Sequence, residues 1–181
     1  MAKKKNSTPA EHSTQAFGTV RKTMSIALGE KTRLKSTENL NQLLADTMSL
    51  RDLYKKHHWQ VSGSTFYQLH LLFDKHYDEQ NDLVDGIAER VQMLGGVTIA
   101  TAHDVVELTK IPRPPKDRED PETQIARLLE AHEIILAEAR EFARQASEDG
   151  DDGTNDFLVG SIIRPNEMQA WFVGEHIAKS E

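Results

Sequence analysis

Residues 57–96 read HHWQVSGSTFYQLHLLFDKHYDEQNDLVDGIAERVQMLGG. From Thr65 to Leu94 the apolar residues recur at helical period, and Gly95-Gly96 gives a strong stop signal. On a helical wheel of about 100° per residue with His70 as origin, the apolar side chains fill about 200° to 340°. A separate stripe carries Asp74 at about 40°, Asp85 at about 60°, Asp78 at about 80°, Glu89 at about 100° and Asp82 at about 120°. Acids on such a stripe are most often simply solvated. Leu71, at about 100°, argues that this one is partly covered.

His70 and Asp74 stand four residues apart, Asp85 and Glu89 likewise, and His58 lies just upstream. Ligand pairs at helical spacing suggest a metal. The chain has no cysteine, so any metal is held by His, Asp and Glu, which suits Fe, Mn or Zn. The centres of the two pairs lie about 22 Å apart along the helix. Metal–ligand bonds are about 2 Å, so one chain cannot close one site from both pairs. An antiparallel two-fold dimer removes the difficulty: each pair meets the other pair of the partner, the axis passes near Asp78–Asp82, and the dimer holds two equal sites.

Upstream, Ser36 reads as the N-cap of a first helix in which Leu40, Leu43, Leu44, Leu50 and Tyr54 recur, ending before VSGS. Downstream, residues 97–119 form a long connection. HDVVELTK allows one short helix there, and Pro112, Pro114 and Pro115 forbid a long one. A third helix opens at DPET with Asp120 as cap and Pro121 in first position, and runs to about Ala146. A fourth covers about Thr154–Ala178, with Pro165 inside it to force a kink or bulge. There is no strand pattern. Four long helices with a long second-to-third connection make an all-α four-helix bundle with a crossover, in the ferritin-like arrangement, because that length lets the second and third helices run parallel.

The 181 residues carry 38% hydrophobic and 28% charged side chains, an ordinary globular balance, with a net charge of −7. The charge is uneven. Lys3, Lys4, Lys5, Arg21, Lys22, Lys31, Arg33 and Lys35 face only Glu11 and Glu30 over residues 1–35. The expected division is a flexible basic arm over 1–35 and a helical domain over 36–181. A basic arm on an acidic body suits nucleic acid, and equally a merely solvated tail. No apolar run follows the basic start and none is long enough to span a bilayer, so the reading is cytoplasmic, with no membrane partner.

The motif HHWQVSG…F…LHLLFDKHYDE…LVDGIAERVQMLGG resembles the signature of the Dps family, the DNA-binding proteins from starved cells, which are mini-ferritins. GDDGTNDFL and EMQAWFVGEHI extend the likeness, which covers roughly residues 36–179. The resemblance implies a dodecameric shell built from two-fold dimers, with a ferroxidase centre between subunits. By motif position His58, His70 and Asp74 supply one half, and Asp85 and Glu89 of the partner chain the other. Trp59 packs beside the site, with Asp78 and Asp82 in support. Iron is the expected metal and substrate, hydrogen peroxide the preferred oxidant over oxygen, and a ferric mineral the stored product, protecting DNA from oxidative damage. Zinc is a possible competitor. The resemblance also makes Asp152 and Asp156, with adjacent Asp151, an acidic pore for iron; the alternative is that Asp151 or Asp152 caps a helix. Ordinary ferritins complete the site within one bundle through Glu-x-x-His, and no histidine here has Glu three positions before it. With no basic tail after the last helix, DNA contact falls to Lys3, Lys4 and Lys5, and DNA binding would add a nucleoid location. Two rival readings stand beside the ferroxidase cage: a DNA-condensing structural protein, and a zinc-filled site that oxidises iron slowly.

Overall fold

The computed structural model describes residues 13–178. Helix α1 spans Glu30–Gln60, α2 Phe66–Met93, α3 Ala102–Leu108 and α4 Pro121–Glu148. The last rod is continuous: α5 (Asp152–Phe157), a π-helical segment (Leu158–Ile163) and α6 (Arg164–Gly174). Among the described residues there is no strand, so the chain is an all-α bundle of four rods plus the short α3. No described helix is long and apolar enough to cross a membrane.

Cross-links fix the directions. Gly63, at φ 101°, turns α1 back into α2. Tyr54 meets His132, while Asn39 meets Gln145, so α4 runs antiparallel to α1 and parallel to α2. Gln80 meets Gln169, and Arg90 meets Thr154, so the last rod returns antiparallel to α2. The crossover makes the parallel pair possible. It is clasped at both ends by α1: Asn41 accepts from Ile99 N and donates to Val97 O. Asp46 accepts from the Thr109 hydroxyl and from the Lys110 and Ile111 amides. Leu40, Leu43, Leu44 and Leu50 of α1, Phe73, Ile87 and Val91 of α2, and Leu128 and Ile135 of α4 form the core. Each such burial contributes about 1.5–3 kcal/mol before entropy is counted.

Two element boundaries follow local chemistry as read. Asp120 accepts from Thr123 N and Pro121 opens α4. Pro165 has no N–H to give one turn back and its ring crowds that carbonyl; the rod widens into the π segment just before it. The start of α1 differs from the reading. The helix begins at Glu30, with Gly29 in the cap position, so residues 30–35 of the expected arm are helical. Ser36 is no cap: it is buried, and its hydroxyl donates to Asp151 at 2.7 Å. Residues ahead of the helix are also engaged. Val20 is buried, and Arg21 N and Gln15 Nε2 both donate to Gly95 O. Arg33 is buried and donates to Leu28 O and Leu94 O.

Candidate metal centre

His58 stands in the last turn of α1 and His70 in the second turn of α2, facing each other across the Gly63 corner. Each ring bonds the other residue's backbone: His58 Nδ1 to His70 O at 2.8 Å, His70 Nδ1 to His58 O at 2.9 Å. A carbonyl only accepts, so each neutral ring carries its proton on Nδ1. Both Nε2 atoms are therefore left as lone pairs, the form that binds a metal. The rings stack at 3.8 Å between centroids, 19° from parallel. His58 O is among the last carbonyls of α1, which lack a helical partner, so the exchange also satisfies a helix end.

Asp74, one turn beyond His70, lies 3.7 Å from His58 Nδ1 and accepts from Lys55 Nζ at 2.5 Å. The hydrogen bond from Lys55 is the chief reason its carboxyl is held below the usual carboxylate range, with the Lys55 charge adding. It is thus an ionised, hard oxygen donor at neutral pH. Lys55 itself sits 4.3 Å above the centre of the Tyr77 ring. Lys55 has no signal in the sequence, because its pairing depends on the register between α1 and α2.

One chain brings together His58, His70 and Asp74 and no more. Asp85 and Glu89 are exposed farther along the same helix, as are Asp78 and Asp82. Among the described residues no group of three or more His, Asp or Glu side chains is arranged to hold a metal ion. Trp59 is 70% exposed, and Phe66, Tyr67 and Leu71 beside the half-site are also exposed, so Leu71 does not cover the stripe within one chain.

Asp151 departs from its expected role. It is 2% exposed, caps α5 by accepting from Thr154 N, and pairs with Arg90 at 2.8 Å. Its carboxylate is spent inside the fold, in the capping role that was the alternative reading. Asp152 and Asp156 are exposed on α5. Lys3, Lys4 and Lys5 lie outside the described residues.

A second polar cluster, absent from the sequence reading, lies in the middle of the bundle. Tyr54, His76, Gln80, His132, Asn166 and Gln169 are all fully buried and come from α1, α2, α4 and α6. Burial pushes His132 down to about 3 and His76 down to about 4, and raises Tyr54 well above its ordinary value. The sequence did carry a signal. His76 and Gln80 fall at about 240° and 280° on the wheel, inside the apolar arc.

The bundle with its crossover has close counterparts among known proteins. The ferritin-like domain family matches residues 37–181. The structure of DpsC from Streptomyces coelicolor superposes with a TM-score of 0.91 at 53% identity, over 93% of this chain and 98% of that one. A nutrient stress-induced DNA-binding protein of Nostoc is 36% identical over 79% of this chain and 77% of its own length. A Dps structure from Vibrio cholerae, described as a member of a superfamily of ferritin-like diiron-carboxylate proteins, aligns at 25% identity with a TM-score of 0.80, over 91% and 99%. This chain belongs to the Dps family of ferritin-like proteins.

Proposed function

We propose that this chain is a Dps-type ferroxidase and iron store, acting at centres shared between two subunits. The observation that carries the proposal is the reciprocal His58–His70 exchange, which fixes both rings with Nε2 free, while an ionised Asp74 stands 3.7 Å from His58 Nδ1. Two imidazoles and one carboxylate suit Fe²⁺, and zinc equally. They make only half a site. Asp85 and Glu89, exposed on the same stripe of α2, are the remaining carboxylates at the right spacing for an antiparallel partner. Hard carboxylates favour Fe³⁺ over Fe²⁺ and so pull the oxidation forward. Two Fe²⁺ ions give one electron each to one hydrogen peroxide, which takes up two protons and leaves as two waters, without releasing hydroxyl radical. The relative named for diiron-carboxylate chemistry supports iron as the substrate.

Mixed dimers test the shared centre. His70→Ala and Glu89→Ala chains assembled together should regain one intact site of the two in each mixed dimer. With about half the dimers mixed on random pairing, peroxide-dependent oxidation of anaerobically loaded Fe²⁺ should return to about a quarter on a simple site count. Mixed shells no faster than either mutant alone would refute the assignment. Zinc added before iron should compete for the same restored site.

The name of the Nostoc relative favours a second activity, binding of DNA, which in this chain we assign to Lys3, Lys4 and Lys5. Such binding is electrostatic and independent of sequence.

A further inference from the structure

The hydrogen bonds of the buried cluster run in one direction, and a backbone carbonyl fixes that direction. Asn166 Nδ2 donates to Ile162 O at 2.8 Å, so Asn166 Oδ1 must be turned toward the cluster. It accepts from His132 Nδ1 at 3.0 Å and from Gln80 Nε2 at 3.0 Å. His132 therefore carries its proton on Nδ1 and presents a bare Nε2. Tyr54 is 2.6 Å from that atom, so the phenol is the donor. The phenol oxygen in turn accepts from His76 Nδ1 at 3.1 Å. The opposite order would leave His132 Nδ1 and Asn166 Oδ1, two acceptors, facing each other.

Tyr54 is thus a fully buried phenol with a short bond to a neutral base whose tautomer cannot change without breaking the chain. Its pocket excludes water and disfavours the phenolate, so an electron can leave only if the proton leaves with it. The acceptor for that proton is already in contact. The resulting imidazolium would keep hydrogen bonds on both nitrogens, to the phenoxyl oxygen and to Asn166. Tyr54 also stands behind the half-site: it precedes Lys55, the partner of Asp74, and lies one turn, about 6 Å along α1, from His58.

We propose that Tyr54 is a redox-active residue that supplies the second electron when peroxide meets a centre holding a single Fe²⁺. The role rests on the ferroxidase reading. Peroxide takes one electron from Fe²⁺ and one from Tyr54, whose proton moves to His132 Nε2. With two protons from solvent it leaves as two waters, giving Fe³⁺, a neutral phenoxyl radical and protonated His132. A later Fe²⁺ returns the electron, and His132 returns the proton.

The test uses the whole assembled protein in two arms. In the first, Fe²⁺ at less than one ion per centre is mixed with peroxide and freeze-quenched for electron paramagnetic resonance. In the second, iron-free protein is oxidised by flash-generated ruthenium(III) tris-bipyridine. Both arms should yield a tyrosyl signal that is retained in Tyr67→Phe and Tyr77→Phe and lost in Tyr54→Phe. In the wild type, without any substitution, the radical should show one strongly coupled exchangeable proton, replaced in D₂O, from the His132 bond. A signal that persists in Tyr54→Phe, or a wild-type radical with no exchangeable coupling, would overturn the inference. So would normal peroxide-dependent iron oxidation with no radical in either arm. A Tyr54 radical by photo-oxidation with no peroxide-driven iron oxidation would keep the redox pair and sink the ferroxidase reading instead.

Discussion

Glu138 is 8% exposed, ion-paired to Lys110, and close to the fully buried Asp46. Burial, with the Asp46 carboxylate adding, raises its pKa to about 7. The unfolded chain loses this proton near the ordinary carboxyl value, the folded chain only near neutrality. Between those two values the folded state holds more protons, so this group makes stability fall as pH rises, and the loss is complete above about pH 7. A gap of that size corresponds to about 3 kcal/mol at most. Glu138→Gln keeps the shape and removes the titration. It also ends the Lys110 ion pair, but Lys110 is half exposed and such a pair is worth about 1 kcal/mol or less. The expected result is a denaturation midpoint above wild type at pH 8, with the difference shrinking toward pH 5 in urea titrations. A difference that grows toward pH 5 would contradict it.

At the scale of elements, the Gly95-Gly96 corner divides two jobs. Gly95 has φ 81°, a conformation that favours glycine. Gly96 is a matter of space: a Cβ there would lie 2.5 Å from Thr37 Cγ2 and 2.8 Å from Thr37 Oγ1. Gly96→Ala should cost about 1–3 kcal/mol of stability by overpacking, and Thr37→Ala in the same chain should recover much of it. Thermal melts of the two single variants and the double read this directly; equal destabilisation with and without Thr37→Ala would place the strain elsewhere. The corner was legible because a glycine pair ends a helix by local geometry. The same holds for Asp120 and Pro121 at the start of α4, and for Pro165, whose predicted bulge is the π segment. The start of α1 was not legible, because Ser36 carries the composition of a cap while its hydroxyl is committed to Asp151, far away in sequence. The nearness of His70 and Asp74 was legible by spacing, since the two share a helix. The Lys55 contact and the Tyr54–His132 bond were not, because each joins helices whose relative register no local pattern encodes. His76 and Gln80 broke the apolar arc of α2, but two polar residues on a core face say nothing of what they meet.

At the scale of the whole molecule, the proposed routes for iron and DNA are matters of charge. A ring of Asp152 and Asp156 contributed by neighbouring copies would concentrate cations, whereas Asp151 is neutralised by Arg90. Asn at both exposed positions should slow iron uptake at low Fe²⁺ while leaving anaerobic binding at the centre unchanged; equal uptake rates would remove these residues from the path. If Lys3, Lys4 and Lys5 bind DNA as proposed, one chain's contacts would be weak, and many copies on one particle would raise the effective concentration. Gel shifts should show binding at low ionic strength that fades near 0.15 M salt, where screening acts over about 8 Å, and that disappears when residues 2–5 are deleted. Binding that survives the deletion would move the surface to the exposed Arg21, Lys22 and Lys31, whereas Arg33 is buried. The segment held at Gly95 O by Gln15 and Arg21 has a consequence for both proposed activities. Gln15 is moored there, so Lys3–Lys5 are on a leash of at most about 45 Å, whatever path the chain takes. The mooring stands at the end of α2, less than two turns past Arg90, which touches the first turn of α5. That tether is thus tied beside Asp152 and Asp156, the acids proposed for the pore, so any nucleic acid held by Lys3–Lys5 would be kept within that reach of the proposed iron path.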